Sequence, residues 1–269
     1  MSKCNLCNSK DFEKTNLNKD LVICKNCGLI FFPNRPDQKR IVTLYNSGHF
    51  SPTEYYKKME LSDKKNFTFV FNKIKNTKSC GKLLDIGCST GNFMSMARNN
   101  DWDVYGIEVN KDSVNECKRK KLNVKKSTFE SSNYNDKYFD WIHMGDVIEH
   151  VTDPKGFLKL ANKKMKKNSI LTLSTPDISR WIARKTQVKP GEHLYYFNKS
   201  TIKNILEKTG FRVLMIKNYS PYRNFSAMSH SSTFSRTSIK FFFKVIGMFG
   251  NAIFKLPIKD EIIVVAEKI

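Results

Sequence analysis

The strongest constraint on the fold is a short apolar run that ends in a turn with two glycines. The run is Leu83 to Ile86, and Gly87 and Gly91 follow it. A strand that leads through such a turn into a helix forms a cofactor cradle in α/β proteins. About twenty residues on, Val104 to Glu108 predicts a second buried strand that ends in a carboxylate suited to a ribose. Together these features indicate a cofactor-binding enzyme.

The glycine spacing indicates what kind of cofactor the turn binds. A dinucleotide-binding turn has the pattern G-x-G-x-x-G and brings a helix N-terminus onto a pyrophosphate. Here the pattern is Asp85-x-Gly87-x-x-x-Gly91, and a carboxylate in the turn would repel a pyrophosphate. A cationic ligand therefore suits the turn better. An ordinary βα turn in another doubly wound protein is the alternative.

The pattern D-x-G-x-x-x-G, with Glu108 ending the next strand, resembles the class I S-adenosylmethionine (SAM)-dependent methyltransferases. The cofactor of that family carries an ammonium and a sulfonium and no phosphate. The resemblance implies that the backbone from Gly87 to Gly91 lies against the methionine part of SAM and that Glu108 binds its ribose. The residues expected to bind SAM are Asp85, Gly87, Cys88, Gly91, Asn92, Phe93, Glu108, Val109, Gly145 and Asp146.

The resemblance continues towards the C-terminus and covers roughly residues 40–269. The segment Gly145 to Val151 is similar to the one after strand four in the ubiquinone-biosynthesis type of small-molecule methyltransferase. The resemblance implies an α/β fold with a Rossmann-like, doubly wound sheet of seven strands. The expected elements are a strand over 139–144, a helix over about 155–167, a strand over 169–176, a helix over 199–209 and strands over 211–217 and 261–266.

Two CxxC pairs near the N-terminus predict a metal site. Cys4 and Cys7 form the first pair, Cys24 and Cys27 form the second, and sixteen residues separate the pairs. Such pairs supply four thiolates in the tetrahedral geometry of structural Zn²⁺. Disulfides or a redox motif are the alternatives, but no apolar signal segment precedes these cysteines, so a cytoplasmic location is expected. We expect a zinc ribbon over residues 1–34 whose core is separate from the rest and whose metal does no chemistry.

A helical segment over residues 35–79 is expected to join this ribbon to a SAM-binding domain over residues 80–269. The run Pro33 to Pro36 interrupts any regular element and marks the boundary. In the resembling enzymes the helical segment often folds over the cofactor as a lid, although plain packing of a helix face explains its aromatics equally well. Two helices are predicted at roughly 37–46 and 54–75, with Tyr45, Tyr55 and Tyr56 as the lid candidates.

The net charge of +22, from 47 Lys and Arg against 25 Asp and Glu, raises the question of a nucleic-acid partner. Methylation of ribosomal or transfer RNA is therefore an alternative function. The excess is mostly lysine on predicted helix faces, however, whereas specific nucleic-acid recognition relies on arginine forks and exposed aromatics. A nucleic-acid partner is the less favoured interpretation.

An insertion over about 220–257 contains a segment with a strongly amphipathic pattern. From Arg236 to Lys255 the basic and small residues fall within roughly a third of a helical turn, and the remaining arc is apolar. Such an arc predicts either packing in a groove or a homodimer, or contact with a membrane surface. The polar stripe and the glycines argue against a spanning helix. Lipid contact through residues 236–256 would place the protein at the inner membrane surface.

Methyl transfer depends mainly on aligning the nucleophile with the sulfonium methyl, but a hydroxyl acceptor also needs a base. His150 and His193 are the catalytic candidates, because each lies in a segment that borders the acceptor pocket of the resembling enzymes. Helix capping or a pocket-wall role is the alternative for each.

The acceptor follows only from resemblance. Zinc-ribbon versions of this fold resemble the methyltransferases of sugar-nucleotide and surface-polysaccharide pathways, which implies a small-molecule acceptor that is a sugar, saccharide-linked or prenyl-linked. A non-catalytic zinc-ribbon adaptor that retains the SAM fold is the remaining alternative.

Overall fold

The computed structural model describes residues 3–46, 59–74, 80–224, 253–255 and 257–269. Helices and strands alternate along most of this length. The helices are α1 (Gln38–Asn46), α2 (Glu60–Ile74), α3 (Asn92–Arg98), α4 (Lys111–Arg119), α5 (Pro154–Lys164), α6 (Trp181–Thr186) and α7 (Lys199–Glu207). The strands are β1 (Phe12–Lys14), β2 (Val22–Cys24), β3 (Ile30–Phe31), β4 (Gly81–Ile86), β5 (Trp102–Glu108), β6 (Asn123–Lys126), β7 (Phe139–Gly145), β8 (Met165–Pro176), β9 (Tyr195–Tyr196), β10 (Phe211–Tyr219), β11 (Tyr222–Asn224), β12 (Ile253–Lys255) and β13 (Glu261–Lys268).

Seven of these strands form one mixed sheet, in the order β10-β13-β8-β7-β4-β5-β6. Strands β4, β5 and β6 pair in parallel, and β7 pairs in parallel with β8. Strand β13 is antiparallel to both β8 and β10. The predicted Rossmann-like sheet of seven strands is therefore confirmed.

The chain divides into two compact units. The ribbon unit comprises 1–41, 133–219 and 259–269, and the cofactor-turn unit comprises 42–132 and 220–258. In the cofactor-turn unit, Leu83 and Leu84 of β4 are buried together with Met94 of α3. Near-continuous apolar burial is typical of parallel strands that are covered on both faces.

The ribbon unit is built around β7, β8 and β13, whose middle residues are almost all buried. Helix α5 begins at Pro154 and is capped by Asp153, whose side chain accepts a hydrogen bond from the backbone N–H of Gly156. The helix ends at Lys164, which corrects the prediction that it continues to residue 167. Met165 is already extended and buried, and it pairs with Phe139 of β7 as the first residue of β8.

A second small sheet, β1-β2-β3-β9, lies in the ribbon unit. Strands β1, β2 and β3 form antiparallel hairpins. Cys4 and Cys7 lie in a turn before β1, and Cys24 and Cys27 lie at the connection between β2 and β3. Strand β9 comes from a distant part of the chain, and its register places Tyr195 opposite Phe31.

The insertion is described only at its two ends, where β11 pairs antiparallel with β12. Lys255 lies opposite Tyr222 in this ladder, and its Nζ lies 5.1 Å from the centre of the Tyr222 ring. The predicted amphipathic helix therefore does not extend to Lys255, because Ile253–Lys255 is a strand. The rest of that helix, within 236–256, lies outside the described residues. Over the described ranges, no helix combines the length and hydropathy needed to cross a bilayer.

Candidate cofactor and acceptor sites

The turn after β4 adopts the left-handed conformation that its glycines allow. Gly87 and Gly91 have φ values of 71° and 76°, and Ser89 between them has a φ of 49°. A Cβ added at Gly91 would lie 2.4 Å from Cδ1 of Leu122 and 3.0 Å from Sγ of Cys117. Both backbone conformation and packing therefore require glycine at this position.

Glu108 connects this turn to the end of β5. Its Oε2 accepts a hydrogen bond of 2.9 Å from the backbone N–H of Ser89, and its Oε1 accepts bonds of 2.8 Å from Val109 and Asn110. Burial raises the pKa of the carboxyl, and these three N–H donors act in the opposite direction. With two bonds on Oε1 and one on Oε2, the carboxylate has one acceptor position left for a ligand hydroxyl.

Asp85 is buried at the end of β4, opposite Gly106 in the parallel ladder. Its pKa is raised well above the ordinary value, first by burial and then by the nearby Cys117 and Glu108. Two buried acids at neighbouring strand ends create a site in which a cation offsets the cost of ionising them. The residues present therefore fit an ammonium- and sulfonium-bearing nucleoside such as SAM, and they fit a pyrophosphate poorly.

The structure gives the other residues of this turn mainly packing roles. The Phe93 ring packs against Phe67 and Phe71, at centre distances of 4.9 Å and 5.5 Å. The Asn92 amide donates to Asp63 and accepts from Lys120. The Cys88 side chain is also buried, which leaves its backbone as the part expected to contact a cofactor. The side chains of Cys88, Asn92 and Phe93 are thus engaged within the protein, and the backbone N–H of Val109 donates to Glu108. Asp85 and Glu108 are the acidic side chains at this turn.

Gly145 and Asp146 belong to the ribbon unit, where Gly145 ends β7 and Asp146 follows it. A Cβ at Gly145 would lie 3.3 Å from Nε2 of His143 and 3.6 Å from Oγ of Ser174, so a side chain would be tightly placed. Asp146 is exposed, has a φ of 53°, and accepts a 3.0 Å bond from the Ser174 hydroxyl. The turn that follows β7 therefore presents a carboxylate to solvent.

The two histidines predicted to be catalytic lie together in the ribbon unit. The His150 and His193 rings are 4.7 Å apart and nearly perpendicular. Nδ1 of His150 lies 2.9 Å from the carbonyl oxygen of Glu192, so this nitrogen carries the proton and Nε2 keeps a lone pair. Burial lowers the pKa of His150 to about 4 and lowers that of His193 well below its ordinary value. Both rings are therefore neutral at pH 7.

Sequence reasoning missed Glu149, which completes this group. Its Oε2 accepts a 3.0 Å bond from the Thr175 hydroxyl, whereas its buried Oε1 has no hydrogen-bond partner among the described residues. That Oε1 lies 3.9 Å from Nε2 of His150, and burial raises the pKa of the carboxyl well above its ordinary value. One donor atom each from Glu149, His150 and His193 lies within 4.8 Å of the others, so the group could hold a proton or a cation.

The four ribbon cysteines converge as the CxxC spacing predicts. Sγ of Cys4 lies 3.5 Å from Sγ of Cys27, and the same distance separates Cys7 and Cys24. Four sulfurs around a tetrahedral Zn²⁺ lie about 3.8 Å apart, so the cluster fits that metal. Both pairs form the same turn: the backbone N–H of the residue after each pair donates to the carbonyl of its first cysteine, at 2.8 Å.

Comparison with known proteins agrees with this geometry. Residues 55–216 match the family described as methyltransferase domain, which is more than half of the 269 residues. The chain therefore belongs to this family.

A curated relative is the ubiquinone biosynthesis O-methyltransferase of Pelagibacter ubique (strain HTCC1062), 32% identical over 99 residues. That match spans 35% of this chain and 41% of the relative. A SAM-dependent methyltransferase from Archaeoglobus fulgidus is 25% identical, with a TM-score of 0.52 over 75% of this chain and 94% of its own. A Thermotoga maritima structure described as a possible histamine N-methyltransferase shares the fold at 16% identity, with a TM-score of 0.56 over 85% and 100%.

Proposed function

We propose that this protein transfers the methyl group of SAM to a hydroxyl of a small molecule. The observation that carries the proposal is the pair of buried acids, Asp85 and Glu108, beside a turn whose φ values and packing require glycine. Bound SAM would supply an electrophilic methyl group on a sulfonium. Asp85, Glu108 and the backbone from Gly87 to Gly91 are the groups that would hold it.

The neutral histidines support a hydroxyl as the acceptor. Nε2 of His150 has a lone pair at pH 7, because Nδ1 donates to the Glu192 carbonyl, and this nitrogen would take the proton of the attacking hydroxyl. Glu149 and His193 lie close enough to share that proton. A sugar, a saccharide-linked molecule or a prenyl-linked molecule remains the proposed acceptor class. The 32% identity to an O-methyltransferase of ubiquinone biosynthesis supports oxygen as the methylated atom.

The Cys4, Cys7, Cys24 and Cys27 cluster is proposed to hold one structural Zn²⁺. Four cysteine ligands leave no coordination position for a substrate, so this metal would stabilise the ribbon without taking part in methyl transfer. Metal analysis of the reduced protein should find one zinc per chain at these cysteines. Disulfides among the four, or no zinc, would contradict this assignment.

Labelled SAM added to a cell extract with the purified protein tests the proposed function. The products would be separated into RNA, lipid, polysaccharide and small-molecule fractions. We expect label in the small-molecule, saccharide or lipid fraction, and a His150→Ala variant should lose most of it while still binding SAM. Label at a defined RNA position would support RNA methylation instead, and no label in any fraction with SAM bound would support the adaptor.

A further inference from the structure

The ribbon is joined by main-chain pairing to the segment that carries His193. Strand β3 lies antiparallel to β9, with Ile30 opposite Tyr196 and Phe31 opposite Tyr195. The backbone N–H of Phe32 also donates to the carbonyl of Leu194, at 2.9 Å. Because β9 starts two residues after His193, the edge of the ribbon sheet fixes the backbone that presents this histidine.

The same segment is tied to the backbone that presents His150. The N–H groups of Leu194 and Tyr195 donate to the carbonyl oxygen of Glu149, at 2.8 Å and 3.2 Å. The Tyr195 hydroxyl donates to the carbonyl of Thr152, at 3.1 Å. The residues just after His193 therefore bind the backbone on both sides of His150, at Glu149 and at Thr152. The ribbon in turn binds those residues through the pairing of β3 with β9.

A cation strengthens the contact between β3 and β9. The Arg35 guanidinium carbon lies 5.4 Å from the centre of the Phe31 ring and 5.3 Å from that of the Tyr195 ring. The two rings are stacked 6.3 Å apart. Arg35 thus contacts one ring of the ribbon and one ring of the histidine segment, and both aromatic faces attract its positive charge.

A second link starts within the first CxxC turn. Asn5 donates from Nδ2 to Oδ1 of Asp153, at 2.6 Å, and its Oδ1 accepts from the backbone N–H of Lys155, at 2.8 Å. Asp153 is the N-cap of α5 and lies three residues after His150. The metal-binding turn is therefore connected to the far side of the His150 loop.

We infer that the ribbon is the element that positions Glu149, His150 and His193 relative to one another, with Arg35 and Asn5 as its positioning residues. The inference rests on the proposed function for the role of these histidines, but the mechanical coupling can be measured without an acceptor. It also replaces the expectation that the ribbon has a separate core, because β9 completes the ribbon sheet. Loss of structure at the four cysteines would then loosen the arrangement of Glu149, His150 and His193.

Hydrogen exchange of the full-length chain, measured by mass spectrometry, tests the coupling directly. Chelation of the metal, or the Cys27→Ser substitution, should speed exchange of the Leu194 and Tyr195 amides by about tenfold or more. These amides donate to the Glu149 carbonyl, and that pairing should loosen when the ribbon no longer holds β9. Peptides covering 83–109 should keep their exchange rates, and SAM affinity should stay within about twofold. Exchange that rises only within residues 3–32 would overturn the inference, as would slow exchange at Leu194 and Tyr195 in a chain that holds no metal.

Variants that keep all four cysteines separate positioning from ribbon folding. Arg35→Met and Asn5→Ala should each speed exchange at Leu194 and Tyr195 with the metal retained, and Arg35→Lys should restore much of the protection because it keeps a cation near both rings. The matched control is Lys25→Gln, which removes an exposed ion pair with Asp11 and should change neither region. Unchanged exchange in both Arg35→Met and Asn5→Ala would contradict the assignment.

Once an acceptor is identified, the kinetic constants of the same variants provide a further test. Arg35→Met should lower kcat and leave the KM for SAM unchanged, since Asp85 and Glu108 lie outside the ribbon unit. Equal losses in SAM binding and kcat would indicate general instability and would contradict positioning. A protein that shows the exchange effects but methylates nothing would refute the proposed function and leave the coupling intact.

Discussion

Glu108 does two tasks with one carboxylate. It orders the glycine turn through Ser89, and it keeps one acceptor position on Oε2. A ligand hydroxyl at that position would receive a charge-assisted hydrogen bond, which is about twice as strong as a neutral one. Binding of both ribose hydroxyls by this side chain would therefore require at least one of the three backbone bonds to be exchanged.

Substitution of Glu108 should weaken SAM binding. We expect Glu108→Ala to raise the Kd by about tenfold or more, or about 1.4 kcal/mol, because the turn loses its anchor and the ribose its acceptor. Titration calorimetry measures the change, and circular dichroism checks the fold. Asp103→Asn is the matched control, since Asp103 lies on the same strand in an exposed pair with Lys82. Equal affinities for the Glu108→Ala and parent proteins would show that Glu108 does not face the ligand.

His143 makes stability depend on pH. The Thr172 hydroxyl accepts from the Trp141 indole, at 2.8 Å, and lies 2.8 Å from Nδ1 of His143, so its proton is available to that nitrogen. Burial lowers the pKa of His143 to about 3, below the ordinary value of 6.5. The unfolded chain therefore binds more protons than the folded chain between these values, and the stabilisation present above pH 6.5 is lost as the pH falls.

Denaturant titrations should detect this loss. At pH 5 the contribution of His143 is expected to have fallen by about 2 kcal/mol relative to pH 7, from its pKa shift. A His143→Asn variant should be less stable at pH 7 but show a shallower decline between pH 6.5 and pH 4. The same slope in both proteins would mean that other groups cause the acid sensitivity.

At the scale of elements, the β4 turn is constrained by packing as well as by φ. Gly91→Ala should destabilise the protein by about 1–3 kcal/mol, because the new methyl group would meet Leu122 in addition to the strain of a positive φ. Gly191→Ala is the control: its φ is 90°, yet nothing lies within 4 Å of the added Cβ. Thermal unfolding that shifts equally in both variants would leave φ alone as the cause.

The insertion is the element whose sequence-based prediction the structure tests least. Its ends pair as β11 and β12, and the predicted apolar arc lies between them, outside the described residues. Replacing Phe242 and Phe249 with Ser should abolish liposome sedimentation or convert a dimer to a monomer, with SAM affinity unchanged. Anionic vesicles separate the two outcomes, because only lipid binding depends on the lysines. If the parent protein shows neither association, both proposals fail.

At the scale of the molecule, the parts that the sequence predicts well are those set by local chemistry. The turn from Gly87 to Gly91 and the CxxC spacing are short motifs with demanding geometry, and the parallel register that places Asp85 opposite Gly106 follows from the βαβ unit. The parallel pairs among β4, β5 and β6 and between β7 and β8 follow from the same repeated unit, whereas the antiparallel β13 and the total of seven strands rest on the family resemblance. In these places local pattern and global fold agree.

What the sequence could not predict depends on contacts between distant segments. The pairing of β3 with β9 involves two strands of two residues each, too short for any periodic pattern. The only sequence signal for Glu149 is that it precedes His150. Its place in the group becomes evident only in the fold, where His193 from another loop lies beside both residues. The start of β8 at Met165 likewise depends on its pairing with Phe139.

Binding of SAM by this fold is tested most directly by titration of the purified chain with SAM, S-adenosylhomocysteine and NAD⁺. Two acids beside a glycine turn predict one site that binds the first two ligands and not the dinucleotide. We expect saturable binding of SAM with one molecule per chain, weakened by Glu108→Ala. Binding of NAD⁺ with none of SAM would contradict it.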